Sequence, residues 1–354
     1  MKIASIVGAR PQFIKCNPVS KELRKDHQEV LIHTGQHYNY EMSKLFFEQL
    51  GIPKPDYNLG VGSGSHGEQT GKMLIEIEKI LLKEKPDLVL VYGDTNSTLA
   101  GALAAVKLHI VIGHVEAGLR SFDKKMPEEI NRVLTDHCSD LLFSPTRTGV
   151  INLEREGITK GVHLTGDVMY DALLNNLKIA EKSNILDELN VKNEEFYLTT
   201  VHRPENTDNI KNLSKILQVL SRINGKVIFP VHPRTMKFIK NNNLEKMIDE
   251  NVIMIKPVGY LDFIWLEKNA KKILTDSGGI QKEAYMLKVP CITLRENTEW
   301  VETVKDGWNV LAGTNEEEIL NSVKNFNPGG KQKKCFGNGT GSKQIKKILD
   351  QLKI

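Results

Sequence analysis

The chain has 354 residues, of which 40% are hydrophobic and 26% are charged, and its formal net charge is +4. This composition excludes disorder on the scale of a domain, and the length favours two domains over a single core. The small net charge gives no indication of nucleic-acid binding, although a mild positive bias suits an anionic small molecule.

The amino terminus and the cysteines indicate a cytoplasmic protein. The first residues enter a strand without the apolar region and cleavage site of a secretory signal, and no apolar run reaches the roughly 18 residues of a membrane span. The four cysteines are far apart and form no zinc-type motif with histidines; they are Cys16, Cys138, Cys291 and Cys335. We therefore expect a soluble protein in the cytoplasm with reduced thiols and no bound metal.

Short apolar runs alternate with helical patterns in the first half of the chain, which is typical of βαβ units and a parallel sheet. The predicted strands are Ile3 to Val7, Val30 to Thr34, Leu88 to Tyr92, Ile110 to Gly113, Leu141 to Ser144 and Val162 to Thr165. The predicted helices between them include Tyr40 to Leu50, Thr70 to Glu84 and Ser97 to Leu108.

A polar stretch at 181–195 interrupts this alternation, which then starts again. The predicted strands of the second half are Phe196 to Val201, Val227 to Pro230, Val252 to Ile255, Lys272 to Thr275 and Cys291 to Leu294. The pattern predicts two doubly wound α/β domains, the first over residues 1–170 and the second over residues 171–342. A last amphipathic helix, at about 343–354, is expected to pack back on the first domain.

Three carboxylates lie close together in residues 113–132. A predicted strand ends near Gly113 and is followed by Glu116, and Pro127 then opens a helix with Glu128 and Glu129 in its first turn. Because α/β folds place their chemistry at the carboxyl ends of parallel strands, Glu116 and Glu128 are candidates for acid–base work. A glutamate in the first turn can instead simply compensate the helix dipole, worth about 0.3–1 kcal/mol, and we favour that interpretation for Glu129.

Asp94 follows another predicted strand, in the run Tyr-Gly-Asp-Thr-Asn-Ser, and precedes a helix. Its carboxylate could cap that helix, or it could point into the cleft as an acid, a base or a ligand of a hydroxyl group. Both interpretations stay open at this point.

Two loops that follow strands have the residues of anion sites. Gly8 begins a turn, and Arg10 and Lys15 place two cations near the start of a helix, where backbone amides already favour anions. The run Asp-Ser-Gly-Gly at 276–279 precedes another helix and predicts a diphosphate site. Neither loop has the Gly-x-Gly-x-x-Gly spacing of a dinucleotide site, so we predict no nicotinamide cofactor.

Two histidine–arginine pairs end strands in the second half. One is His202-Arg203, and the other lies within residues 232–234. Such residues suit proton transfer or phosphate contact near neutral pH. Phe263 and Trp265 fit a buried helix face, although an aromatic ring near the cleft could stack on a base.

Seven motifs, spread over nearly the whole chain, together resemble the non-hydrolysing UDP-N-acetylglucosamine 2-epimerases. They are Gly8 to Lys15, Gly93-Asp-Thr, His114-Val-Glu-Ala-Gly-Leu-Arg, Pro127-Glu-Glu-Ile-Asn-Arg, His202-Arg, Pro230-Val-His-Pro and Thr275-Asp-Ser-Gly-Gly-Ile-Gln. They occur in the order that this family has. The resemblance implies two Rossmann-like domains of the GT-B type facing a cleft, a homodimer, and a nucleotide sugar in that cleft.

The resemblance also implies roles for individual residues. The family's catalytic residues are matched by Asp94, Glu116, Glu128 and His202. Positions that hold UDP or the sugar are matched by Arg10, Lys15, Phe263, Ser277, Gly278, Gly279 and Glu283. Bacterial members are often activated by a second substrate molecule, and the residues compatible with that pocket are Gln36, His37, Arg203 and His232. Trp300 departs from the pattern, because some members have a phosphate-binding arginine there, and nearby Arg295 is the candidate to replace it.

The implied reaction is the reversible epimerisation of UDP-N-acetylglucosamine to UDP-N-acetylmannosamine at C2, by elimination and re-addition of UDP, without a cofactor. Three alternatives are kept. A hydrolysing 2-epimerase would release N-acetylmannosamine and UDP, a GT-B glycosyltransferase would pass the sugar to an acceptor, and a nucleotide-sugar sensor would bind without any reaction.

Overall fold

A computed structural model describes the protein over residues 1–36, 51–192 and 194–352, apart from the side chain of Arg10. The predicted helix Tyr40 to Leu50 lies outside the described residues. The chain divides into two compact units, one formed by Met1–Leu174 with Lys334–Ile354 and the other by Asn175–Lys333. Each unit contains one parallel sheet with helices between its strands.

The sheet of the first unit has the order β3-β2-β1-β4-β5-β6-β7. Its strands are β1 (Lys2–Val7), β2 (Gln28–His33), β3 (Tyr57–Asn58), β4 (Leu88–Tyr92), β5 (Val111–Val115), β6 (Leu141–Ser144) and β7 (Val162–Leu164). The central strands are buried on both faces, which explains why the sequence shows them as unbroken apolar runs. The edge strand β3 was not predicted, because two residues are too few to show a period.

The helices that connect these strands are α1 (Arg10–Leu23), α2 (His66–Glu84), α3 (Asn96–Lys107), α4 (Pro127–Cys138), α5 (Arg147–Arg155) and α6 (Val168–Ala180). Helix α2 shows how the pattern works, because Met73, Ile77, Ile80 and Leu81 recur at helical spacing and join the strand side chains in the core. Its cap is Ser65, whose side chain accepts a hydrogen bond from the amide of Glu68.

The sheet of the second unit has the order β10-β9-β8-β11-β12-β13. Its strands are β8 (Phe196–Thr200), β9 (Lys226–Pro230), β10 (Val252–Ile255), β11 (Lys272–Thr275), β12 (Cys291–Thr293) and β13 (Asn309–Leu311). In both units the strand order runs outward in two directions from the first strand, so the prediction of two doubly wound, Rossmann-like folds is confirmed.

The helices of the second unit are α7 (Ile185–Glu188), α8 (Pro204–Thr207), α9 (Ile210–Arg222), α10 (Pro233–Asn241), α11 (Tyr260–Asn269), α12 (Gly278–Leu287), α13 (Val301–Lys305) and α14 (Glu316–Asn325), with a 3₁₀ turn at Leu244–Met247. The expectation that Phe263 and Trp265 form a buried face of α11 is wrong, since both are partly exposed. The buried side of that helix contains Tyr260, Ile264 and Glu267, at spacings of four and three residues.

From Lys334 onward the chain belongs to the first unit again. Helix α15 (Gly341–Asp350) packs against α1, and the Asp171 carboxylate accepts hydrogen bonds from the amides of Gly341 and Ser342, both at 2.9 Å. The return to the first unit starts before the predicted boundary at residue 342, because residues 335–340 run along the loop at Gly166. Among the described residues, no helix is long and apolar enough to cross a membrane.

Candidate functional site

The carboxyl ends of β1, β4 and β5 lie side by side where the strand order of the first sheet reverses. Glu116 follows β5 directly, is buried, and has a left-handed backbone with φ of 79°. Its amide donates to the carbonyl of Phe143 at 3.1 Å, which holds this turn against β6. Its carboxylate forms an ion pair with Lys15, from helix α1.

The ion pair of Lys15 and Glu116 lies against the turn that contains Asp94. A methyl group on Gly93 would be 2.9 Å from Nζ of Lys15 and 3.3 Å from Oε2 of Glu116. Gly93 also has a φ of 65°, so both its backbone and its surroundings favour glycine. The structure therefore brings together three of the residues that the sequence analysis selected.

The carboxylate of Asp94 points toward helix α4. Its Oδ2 accepts from Nε of Arg132 at 3.0 Å and from Nη2 of Arg132 at 2.7 Å. The backbone carbonyl of Asp94 accepts from the side-chain amide of Asn131 at 2.9 Å. The N-cap residue of α3 is Thr95. Asp94 is thus held by an arginine fork, and the interpretation of Asp94 as the helix cap is excluded.

Glu129 is the inner member of the glutamate pair, with 3% of its surface exposed. Its carboxylate accepts from the amide and hydroxyl of Ser121 at 2.8 and 2.9 Å, from the amide of Phe122 at 2.9 Å and from Arg132 at 2.9 Å. Burial raises the pKa of Glu129, but these hydrogen bonds outweigh burial and bring the pKa below its usual value. Glu129 lies in the first turn of α4, as expected, and in addition it holds the loop at Ser121 and the side chain of Arg132. Glu128 is exposed at the start of the same helix.

The loop at Gly8 differs from the anion site that was expected. The amides of Gly8 and Ala9 donate to Oε1 of Gln12 at 2.8 and 3.0 Å. Nε2 of Gln12 in turn donates to the carbonyl of Tyr92 at 2.9 Å. These amides are occupied within the protein, so any anion binding by this loop depends on its cations. Arg10 is the first residue of α1.

In the second unit, the buried carboxylate of Asp276 organises the end of β8. It accepts from the amides of His202 and Arg203 at 3.1 and 3.0 Å and from the side chain of Asn206 at 3.0 Å. Burial lowers the pKa of His202, and the charges of Arg203 and His232 lower it further. The negative charge of Asp276 raises the pKa, but not enough to restore its usual value. These surroundings therefore favour the neutral imidazole of His202.

Ser277 caps helix α12, and its hydroxyl accepts from the amide of Ile280 at 3.5 Å. The amides of Gly278 and Gly279 belong to the first turn of this helix, where no intrahelical acceptor exists. An anion placed there meets unhindered donors and the positive end of the helix dipole. Glu283, on the next turn, is buried and accepts from the hydroxyl of Tyr260 at 2.9 Å.

Trp300 lies beside this helix start. Its Nε1 would be 3.5 Å from a methyl group on Gly278, and Nζ of Lys282 lies 4.3 Å from the centroid of its ring, a cation–π distance. Arg295 is paired with Glu299, with Nη1 and Oε2 3.1 Å apart. Phe263, also selected from the sequence, is partly exposed on α11.

The residues compatible with an activating pocket fall in different parts of the chain. In the first unit, Oε1 of Gln36 accepts from the amide and the hydroxyl of Ser97 at 3.1 and 2.7 Å. In the second unit, the His202 and His232 rings are 6.3 Å apart, and Arg203 lies 3.8 Å from Glu299. His37 lies outside the described residues.

Three residues that organise these groups were missed as functional candidates, namely Gln12, Arg132 and Asp276. Each lies inside a motif that was already selected. The spacing of Glu129 and Arg132 was a usable signal, because residues three apart on a helix face the same side. Gln12 also had a local signal, because a glutamine at the third position of a helix can accept from the amides just before that helix. The partners of Asp276 come from the distant segment 202–206, so no local spacing pointed to it.

Comparison with known proteins adds to this geometry. The family model of UDP-N-acetylglucosamine 2-epimerase matches residues 21–350. A Methanococcus maripaludis protein, named UDP-N-acetylglucosamine 2-epimerase homolog, is 62% identical over 99% of this chain and 100% of its own length. A Pseudomonas aeruginosa UDP-2,3-diacetamido-2,3-dideoxy-D-glucuronate 2-epimerase is 48% identical over 99% of this chain and 100% of its own.

The fold has the same relatives. The crystal structure of Methanocaldococcus jannaschii UDP-GlcNAc 2-epimerase, in complex with UDP-GlcNAc and UDP, superposes with a TM-score of 0.89 at 52% identity and covers 99% of both chains. Sequence motifs, strand order and whole-chain similarity therefore agree, and the chain belongs to the UDP-N-acetylglucosamine 2-epimerase family.

Proposed function

We propose that this protein catalyses the reversible epimerisation of UDP-N-acetylglucosamine at C2, giving UDP-N-acetylmannosamine, by elimination and re-addition of UDP through a 2-acetamidoglucal. The observation that carries the proposal is the group of Lys15, Asp94 and Glu116 at the point where the first sheet reverses. It is supported by the relative that was crystallised with UDP-GlcNAc and UDP.

The chemistry of the substrate explains why elimination is needed. The hydrogen on C2 is adjacent to an acetal carbon and not to a carbonyl, so direct deprotonation is too difficult. If the C1–O bond breaks first, the electron pair leaves with UDP, and the positive charge at C1 acidifies the hydrogen on C2. A carboxylate then removes that proton, and the C–H electrons form the C1–C2 double bond of the glycal.

The return step accounts for the epimer. A proton is delivered to the opposite face of C2, and an oxygen of UDP bonds to C1 again. We assign the two proton transfers to Asp94 and Glu116, and charge stabilisation or service as a second base to Glu128. Lys15 can neutralise Glu116 before the reaction, and Arg132 fixes the orientation of the Asp94 carboxylate.

The second unit supplies groups suited to the departing diphosphate. We assign UDP binding to Ser277, Gly278 and Gly279 at the start of α12, where the helix dipole and free amides favour an anion. His202 is proposed as the acid that protonates the leaving group or the glycal. Its pKa is lowered in the free protein, and a bound diphosphate would raise it again, so that substrate binding itself would protonate the acid.

The test is to incubate the protein with UDP-N-acetylglucosamine in D2O and to follow the products by NMR. We expect deuterium at C2 in both epimers, with UDP still attached. Free N-acetylmannosamine would support the hydrolysing alternative, and transfer to an added acceptor would support a glycosyltransferase. Binding of the nucleotide sugar without hydrogen exchange at C2 would contradict both epimerase assignments and would support the nucleotide-sugar sensor.

Glu116→Gln tests the central assignment. We expect turnover to be abolished while the affinity for UDP stays within several-fold, because the proposed UDP contacts lie elsewhere. Glu76→Gln is the matched control, since Glu76 is a partly exposed glutamate paired with Lys79 on α2. Retained activity in Glu116→Gln would remove this residue from the mechanism.

A second candidate substrate is UDP-2,3-diacetamido-2,3-dideoxy-D-glucuronate, on which the Pseudomonas relative acts by its name. The proposed chemistry at C1 and C2 is the same for both sugars. Comparing kcat/KM for the two nucleotide sugars decides between them, and we expect the N-acetylglucosamine compound to be preferred. We also propose a homodimer, which light scattering of the purified protein would test.

A further inference from the structure

His114, on β5, is completely buried and takes no part in the reaction proposed above. Its Nε2 lies 2.8 Å from the carbonyl oxygen of Gly93, and its Nδ1 lies 2.7 Å from Oδ1 of Asp136. A carbonyl oxygen can only accept a hydrogen bond, so Nε2 must carry a proton.

The state of Nδ1 follows from the surroundings of Asp136. The second oxygen of this carboxyl group accepts from the amide of Gly118 at 3.1 Å and from Nη1 of Arg120 at 2.7 Å. Burial raises the pKa of Asp136, but the Arg120 guanidinium, which is permanently charged and donates to this carboxyl group, lowers the pKa and favours the ionised form. An ionised carboxylate has no proton to donate, so Nδ1 must carry one as well.

We propose that His114 is a buried imidazolium that positions the two turns containing Asp94 and Glu116. This inference rests on the proposed function of those two carboxylates. His114 is a positioning residue, since it acts through the backbone and through Asp136.

The contacts join both turns to one ion pair. His114 holds the carbonyl of Gly93, the residue before Asp94, and Asp136 holds the amide of Gly118, two residues after Glu116. Gly93 and Gly118 both have left-handed backbones, with φ of 65° and 82°. Turns of this kind depend on their hydrogen bonds for their shape, so the ion pair of His114 and Asp136 contributes to the position of both turns.

The surrounding charges favour the cation. On the side away from Gly93, Arg120 donates a hydrogen bond to Asp136. Its Nε and Nη2 donate to the carboxylate of Glu156, each at 2.7 Å. His114 and Arg120 thus balance Asp136 and Glu156. On the other side, Gly93 separates His114 from the pair of Lys15 and Glu116, which is itself neutral in sum. Loss of the His114 charge would remove one of the two cations that contact the buried Asp136 carboxylate.

The first test reads the protonation state directly. In protein labelled with 15N-histidine at pH 7.5, we expect both ring nitrogens of His114 to be protonated, with the ring assigned through its own backbone resonances. An unprotonated Nδ1 would overturn the inference. This measurement uses the resting protein, so it stands even if the protein fails to exchange hydrogen at C2.

The second test separates positioning from mere structural support. We expect His114→Gln to lower kcat by about 10- to 100-fold, because a shift of about 1 Å in a reacting group costs on the order of 10²-fold. The Kd for UDP should stay within about threefold. His163→Gln is the matched control; this ring stacks on Phe143, with the centroids 6.0 Å apart, and its loss should leave kcat unchanged.

A folded His114→Gln protein with normal kcat would overturn the positioning role. If that variant does not fold, Asp136→Asn provides the alternative, because it removes the carboxylate charge and keeps the shape of the side chain. It should also lower kcat with little effect on UDP binding, and it should reduce the protonation of Nδ1 on His114. An unchanged ring signal and an unchanged kcat in Asp136→Asn would contradict the inference.

Discussion

Glu128 and Glu129 are adjacent in sequence, yet the structure predicts opposite results when each is changed to glutamine. Glu129→Gln should destabilise the first unit, because the carboxylate of Glu129 accepts four hydrogen bonds, one of them from the Arg132 fork that also holds Asp94. Glu128→Gln should leave stability unchanged, since Glu128 is exposed. If Glu128 has its proposed role, that variant should instead lose turnover.

The size of the effect follows from the contacts. Hydrogen bonds to a charged group contribute about 1.5–3 kcal/mol each, but those sharing one carboxylate are not additive. Glutamine keeps one acceptor oxygen and turns an NH2 group toward the remaining donors. We therefore expect Glu129→Gln to cost the first unit about 2–4 kcal/mol at pH 7.5.

Urea unfolding measures this, and the chain supplies a built-in reference. All three tryptophans lie in the second unit, at Trp265, Trp300 and Trp308. Tryptophan fluorescence therefore follows the second unit, while far-UV circular dichroism follows both. Glu129→Gln should move the circular-dichroism transition to lower urea while leaving the fluorescence transition in place.

The pH dependence gives a second check with a definite sign. The pKa of Glu129 is lowered in the folded protein, so its contribution is present above the unfolded value of about 4.3 and is lost as the pH falls through the folded value. The stability gap between wild type and Glu129→Gln should therefore close below about pH 4. Equal stability of the Glu128→Gln and Glu129→Gln proteins at pH 7.5, or a gap independent of pH, would refute the reasoning.

Three further predictions use other parts of the fold. Burial lowers the pKa of His33 to about 4, so stability should fall by up to about 3 kcal/mol as the pH drops from about 6.5 to about 4, and His33→Gln should flatten this decline in urea titrations. Gly118→Ala should lower Tm sharply, because φ is 82° and a methyl group would lie 2.3 Å from a backbone oxygen. Gly71 lies inside α2, and a methyl group added there would have no other atom within 4 Å, so Gly71→Ala should stabilise the protein by up to about 1 kcal/mol. Calorimetry measures both variants, and equal changes in Tm would contradict this contrast. His232→Asn should raise the pKa of His202, and an NMR titration showing no rise would contradict the repulsion between them.

The order of strands and helices could be predicted because it depends on local composition. Residues 88–92, Leu-Val-Leu-Val-Tyr, form a strand buried on both faces, and such a strand needs an unbroken apolar run. Helix α2 shows its buried face as a period in the sequence. Strands β3 and β13 were not predicted, since two or three residues at a sheet edge are too short for a pattern.

The candidate residues could be selected for a related reason. Four of these candidates lie within two residues of the end of a strand, and in parallel sheets the carboxyl ends of the strands share one edge. They are Asp94, Glu116, His202 and Ser277. Their types and order also resembled a family with specific motifs. Their assignment to a common reaction stays a proposal.

The partners of those residues depended on contacts between segments far apart in the chain. Lys15 meets Glu116 across 101 positions, and Arg132 meets Asp94 across 38, because the doubly wound order places β1, β4 and β5 together. A sequence motif shows which residue is charged, but it does not show which distant residue will form an ion pair with it.

Composition and periodicity by themselves therefore determined two doubly wound folds and the strand ends at which the chemistry is proposed. Tertiary structure alone decided that Gln12 donates to the carbonyl of Tyr92, that Glu129 is buried, and that His114 lies between two acceptors. The physical reason is that local conformation follows from neighbouring residues, whereas charge and hydrogen bonding are set by whichever groups the fold brings within about 3 Å.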